Sequence, residues 1–70
     1  MRRFQLRRLE DETGISGVGD VAEGVLFSTG KAALQWTTEF RSVAIYDSLE
    51  DLMKIHGHNG KTLLVWIDQP

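Results

Sequence analysis

Four stretches of this chain alternate side chains with a two-residue period, a fifth is apolar on both faces, and one stretch carries the start signal of a helix. A period of two sends successive side chains to opposite faces of a strand, so most of the chain is suited to a sheet with one face to bury. The expectation is a mainly β, α+β domain.

The first strand runs from Arg2 to Leu9, with Phe4 and Leu6 turned inward and Arg8 sharing their parity. From Asp20 to Ser28, Val21, Val25 and Phe27 share one face and Ala22, Gly24 and Leu26 the other, so Glu23 falls among the larger apolar residues. Ser28-Thr29-Gly30 offers a turn, its glycine free to take a positive φ, and leads into Lys31 to Thr37, where Leu34 and Trp36 alternate. After a polar break at Thr38 and Glu39, Arg41 to Tyr46 forms a fourth strand with Val43 and Ile45 beside Arg41 on one face. Asn59-Gly60 turns the chain into Lys61 to Ile67, which is apolar on both faces as an interior strand would be, and Asp68-Gln69-Pro70 is a tail.

Ser48-Leu49-Glu50-Asp51 matches a capping box, in which the serine oxygen accepts an orphan backbone N–H at the helix start. Leu49, Leu52, Met53 and His56 follow at i, i+3, i+4 and i+7, and Gly57 stops the helix after about two turns. The acidic, glycine-bearing stretch from Glu10 to Gly19 favours neither helix nor strand and reads as a long loop.

The order β-β-β-β-α-β predicts a small five-stranded antiparallel SH3-like or OB-like barrel with one short helix before the last strand. The alternative is a curved antiparallel sheet with the helix across one face and the other face open to a dimer partner.

A chain of 70 residues has room for one core, so residues 1–70 are expected to form a single small β-rich domain. It has no cysteine and no Cys/His spacing for a structural zinc, so apolar packing, assisted by dimerisation, must hold it. Lack of cysteine fits a reducing compartment, and Met-Arg-Arg-Phe-Gln-Leu has no secretion-type apolar region, so the expected location is cytoplasmic. The longest apolar run, Leu63 to Ile67, is far short of the roughly 20 residues that span a bilayer, and no membrane partner is expected. Arg2, Arg3, Arg7 and Arg8 hold half of the 8 basic residues, against 10 acidic ones. Such a strand could touch a phosphate backbone, but the acidic remainder repels a polyanion, which disfavours nucleic acid as a partner.

Three polar residues fall where alternation predicts core: Arg8, Glu23 and His56. If they converge, Arg8 and Glu23 form a partly buried ion pair with His56 within hydrogen-bonding reach; otherwise their long side chains sit at a rim with the charges in water. The functional form of this reading is a pocket mouth in which Arg8 binds an anion and His56 exchanges a proton near neutral pH. His56-Gly57-His58 could give two imidazoles to a metal, but a third protein ligand would have to come from Glu23 or Asp47, and a histidine at a helix end is more simply explained by the dipole. No metal or other cofactor is therefore expected. Gly14-x-x-Gly17-x-Gly19 lacks the lysine and hydroxyl of a phosphate loop, Glu10, Asp11 and Glu12 miss the calcium-hand spacing, and Ser16 does not sit in a nucleophile elbow. Of the aromatics Phe4, Phe27, Trp36, Phe40, Tyr46 and Trp66, most are expected in the core and the rest could stack on a base.

Arg8, Ser16-Gly17-x-Gly19-x-Val21-Ala22-Glu23-Gly24, Leu34-x-Trp36 and His56-Gly57-His58-x-Gly60 together give the chain a resemblance to a group of short proteins of actinobacteria and their bacteriophages. The resemblance covers almost the whole chain. It implies a phage or mobile-element accessory protein that binds a host factor, nucleic acid or small ligand in the bacterial cytoplasm.

The function expected from the sequence is a non-catalytic binding module for a host protein or small ligand, with Arg8, Glu23, Trp36, Arg41, His56 and His58 gathered at one end of the fold. The alternatives are a histidine-based or metal-assisted hydrolase of a phosphorylated or nucleotide-like substrate, and a structural homodimer paired through a strand edge or an apolar face.

Overall fold

The computed structural model describes residues 1–9, 18–38, 40–57 and 60–69. Five strands and one helix follow in the order β1 Arg2–Arg8, β2 Gly19–Leu26, β3 Ala32–Trp36, β4 Val43–Tyr46, α1 Leu49–His56 and β5 Thr62–Trp66. The expected loop from Glu10 to Gly19 falls mostly outside the described residues, as do Glu39, His58 and Asn59.

The strands make one antiparallel sheet in the order β4-β3-β2-β1-β5. It is open: β4 and β5 are its two edges, so the SH3-like or OB-like barrel gives way to the alternative of a sheet with a helix on one face. Alternating directions make β4 and β5 run the same way from opposite edges, and such strands need a crossover to join them. α1 lies in that crossover, and by lying over one face it supplies the apolar cover that closure of a barrel would otherwise give.

Local chemistry starts the helix as the sequence requires. Ser48 is extended at φ −156° and ψ 163°, and its Oγ accepts the Asp51 N–H at 3.1 Å. Glu50 and Asp51 lie in the first turn and Lys54 and His56 in the last, which complements the helix dipole. The Gly57 N–H closes the end on the Met53 carbonyl at 2.8 Å.

Leu52 is the fully buried residue of the helix, and it meets Phe4, Leu6, Val21, Ala22, Ala32 and Leu34 in the core. Leu49, Met53, Trp36, Tyr46, Leu64 and Trp66 pack around that cluster half-buried. The Phe4 ring lies over Gly24 on the neighbouring strand. A Cβ there would sit 2.6 Å from the ring and 2.4 Å from the Ala33 carbonyl oxygen, so only glycine lets the ring pack against the sheet. At the other end of the β2–β3 hairpin Gly30 takes φ +96°, as the turn expectation required.

One irregularity decides which side of β2 is buried. Leu6 pairs with Ala22 but Arg7 with Asp20, which leaves Val21 as an extra residue in a bulge. Val21 and Ala22 are consequently both buried, and beyond the bulge Ala22, Gly24 and Leu26 share the face of Phe4 and Leu6. Glu23 and Val25 take the other face. The expected core placement holds for Val21, whereas Glu23 and Val25 turn away from the core.

On β4, too, the more apolar side faces outward. Ala44 and Tyr46 pair with Leu34 and Ala32 on the core side, whereas Val43 and Ile45 are exposed. β5 is an edge strand despite its apolar sequence, with Leu63 exposed and Thr62, Leu64 and Trp66 on the helix side.

Candidate functional site

Arg8 ends β1 on the buried face and is only 4% exposed. A guanidinium in that position needs partners, since an uncompensated buried charge costs several kcal/mol. Its Nε donates to Thr62 Oγ1, directly across the β1–β5 ladder, at 3.4 Å, and its Cζ stands 5.6 Å from the centroid of the Trp36 ring, within cation–π range. Trp36 in turn meets His56 edge-on, with centroids 5.0 Å apart at 76°.

His56 comes from the last turn of α1 and meets Tyr46 of β4, whose ring lies 5.7 Å away at 88°. The Tyr46 hydroxyl oxygen and His56 Nε2 are 2.6 Å apart. Burial raises the Tyr46 pKa, so the phenol holds its proton at neutral pH. With a neutral imidazole protonated on Nδ1, Tyr46 donates to Nε2; with an imidazolium, Nε2–H donates to the phenol oxygen. A Tyr46→Phe variant is expected to lose about 1 kcal/mol of stability in urea denaturation. An unchanged midpoint would mean that the hydroxyl–imidazole contact contributes nothing.

Arg8, Trp36 and His56 thus lie in one row, from β1 through β3 to the last turn of α1. Glu23 does not join them. It is exposed on the opposite face between Gln5 and Gln35, so the ion pair expected with Arg8 is replaced by the Arg8 contacts to Thr62 and Trp36. Arg41 is exposed just before β4 at the sheet edge, and His58 is outside the described residues. Among the described residues no three His, Cys, Asp or Glu side chains cluster as metal ligands would. Sequence reasoning missed Tyr46 and Thr62. The available signal was parity, since Tyr46 alternates with Ile45 and Thr62 shares the phase of Leu64 and Trp66.

The face of the sheet away from the helix holds a second feature. A groove of about 470 Å³ has Val25, Ala33, Val43 and Ile67 as apolar lining and Arg3, Glu23 and Gln35 as polar lining. Arg3 is fixed there by Asp68: its Nε and Nη2 reach the two carboxylate oxygens at 3.0 and 2.8 Å, and its backbone N–H reaches Oδ2 at 2.8 Å. Those hydrogen bonds from Arg3, side chain first and then backbone, hold the Asp68 carboxyl well below the usual carboxylate range. Glu23 is the acidic group of the lining, on β2 diagonally next to Arg3 of β1, since Arg3 pairs with Val25 and Gln5 with Glu23. Antiparallel sheets that face water on one side normally make that side polar, and this one also carries exposed Val43, Ile45, Leu63 and Ile67.

A family model, that of the Acb5 phage protein, matches residues 1–68. The chain belongs to that family. The match extends from before β1 to beyond β5, so the sheet, the helix, the Arg8–Trp36–His56–Tyr46 row and the uncovered groove all fall within the extent that defines this phage family. No curated protein and no solved structure matches the chain. Among the described residues no helix is long and apolar enough to cross a membrane.

Proposed function

We propose that this phage-family protein is a non-catalytic binding module, a phage accessory protein that works in the cytoplasm of an actinobacterial host and engages a host protein through the open face of its sheet. The observation that carries the reading is the groove of about 470 Å³ on that face, within the usual size of ligand clefts, lined by Val25, Ala33, Val43 and Ile67 beside the charged Arg3 and Glu23. The apolar lining supplies the burial that drives association, and charges of both signs within it orient the partner. Arg3 is held in place by Asp68 before any partner arrives, which lowers the ordering cost of contact.

The groove offers recognition chemistry rather than a nucleophile and base: a guanidinium, a carboxylate and an amide above aliphatic side chains. His56, which the hydrolase alternative requires, faces Tyr46 and Trp36 on the other side of the sheet. Arg8, Trp36 and His56 accordingly belong to the support of the helix in this proposal, and Glu23 keeps its binding role on a different face from the one expected.

The test is amide-resolved NMR of the full chain titrated with a library of short peptides and small fragments. Binding is expected to shift the Glu23, Val25, Ala33 and Gln35 amides. Glu23→Lys and Ile67→Asp, both at exposed positions, are expected to weaken binding at least tenfold without lowering the Tm. Shifts confined to Arg8, Trp36 and α1 would transfer the function to the helix side and overturn the reading.

A further inference from the structure

We infer that β4 pairs with β4 of a second copy about a two-fold axis through Ala44, joining two five-stranded sheets into one antiparallel sheet of twice the width. The backbone of the edge gives the first reason. Trp36 N–H bonds to the Ser42 carbonyl, and the register continues through Leu34–Ala44 and Ala32–Tyr46. Antiparallel alternation therefore turns the N–H and C=O groups of Val43 and Ile45 away from β3, toward the open edge. The β4 sequence, Val-Ala-Ile-Tyr, has no charge, proline or glycine of the kind that blunts an edge. The other edge is not equivalent, because the Thr62 N–H of β5 already donates to the Gly57 carbonyl at 3.0 Å.

Side chains give the second reason and select a copy of the same chain. Pairing about Ala44 sets Val43 opposite the partner's Ile45, and Ile45 opposite the partner's Val43. Each then exchanges both backbone hydrogen bonds with its opposite residue. Val43 and Ile45 are 61% and 62% exposed, and as β-branched residues they form a favourable cross-strand pair. One step further out, Arg41 falls opposite the partner's Asp47 and Asp47 opposite the partner's Arg41, so the register is charge-complementary at both ends. Ala44 meets its own copy on the helix side, where a small side chain leaves room for the two helices. Asp47 also holds Lys31 within its own chain at 3.0 Å, an exposed contact that leaves its second carboxylate oxygen for an arginine.

A two-fold axis normal to the sheet keeps both uncovered faces on one side of the dimer. The groove of each copy has Val43 in its lining, so the two grooves flank the shared strands and could engage a repeated partner twice. The pairing itself does not depend on what the grooves bind.

Sedimentation equilibrium of the full chain is expected to give twice the 7.9 kDa chain mass. Ile45→Lys, at a position already exposed, is expected to return it to the monomer mass with an unchanged circular dichroism spectrum. Arg41→Glu and Asp47→Arg are each expected to weaken the dimer at least tenfold, and the double exchange to restore it. A wild-type monomer at the highest soluble concentration, a dimer indifferent to Ile45→Lys, or a double exchange that restores nothing would each overturn the inference. None of these substitutions is at Glu23 or Ile67, so loss of groove binding and loss of pairing are read separately.

Discussion

Truncating Phe4 to alanine is expected to remove about 3–5 kcal/mol of stability, the usual effect of deleting a buried aromatic ring. For a chain of 70 residues, whose whole stability is roughly 4–10 kcal/mol, that is enough to leave a large unfolded fraction. Phe4 is fully buried, meets Trp66 edge-on at 5.8 Å and covers Gly24, so its ring ties β1 to β5 on one side and to β2 on the other. The companion change Gly24→Ala drives a Cβ into both that ring and the Ala33 carbonyl and is expected to cost about 1–3 kcal/mol. In the Phe4→Ala background the ring is gone but the carbonyl remains, so the same Gly24→Ala change should cost less without becoming neutral. Urea denaturation of the four proteins in this cycle measures the difference. Equal costs in both backgrounds would show that the ring contact is not what Gly24 serves.

The second large effect is expected at Leu52, where alanine should cost about 2–5 kcal/mol. Leu52 is 0% exposed and is the residue by which α1 enters the core. An eight-residue helix is too short to persist in water on its own, so its stability is borrowed from this contact. Losing the anchor should also release His56 from Tyr46 and Trp36. Hydrogen exchange is expected to speed up throughout α1 before it does in β1 and β2. Exchange that accelerates equally in all elements would mean that the helix does not separate from the sheet as a unit.

Much of the architecture was legible along the chain. The five strand-like segments became five strands, and Ser48 capped the helix that its sequence announces. The shared parity of Phe4, Leu6 and Arg8 also appears in the structure, as does the position of His56 at the end of the helix stripe, and this is why Arg8, Trp36 and His56 meet. Less of the candidate site could be read. Glu23 was assigned to the core by the size of its neighbours Val21 and Val25, and the bulge at Val21 sends it to the uncovered face. Tyr46 is legible only as one of six aromatics, because the alternation of β4 does not say which of its faces is buried, and the more apolar side, Val43 and Ile45, faces outward. Side-chain size misjudges such a face when a large ring from the next strand needs glycine and alanine beneath it.

Read along the chain alone, the number and order of the elements, the cap of the helix and the hairpin turn at Gly30 are already legible, because each rests on interactions between residues a few positions apart. Tertiary structure decided which face of β2 and β4 is buried, that the sheet stays open, and that an apolar groove remains uncovered. The physical reason is that a strand's period of two supplies two equivalent faces. Only contacts between distant segments, the Val21 bulge opposite β1, the Phe4 ring over Gly24 and Leu52 descending from the crossover helix, make one of them the inside.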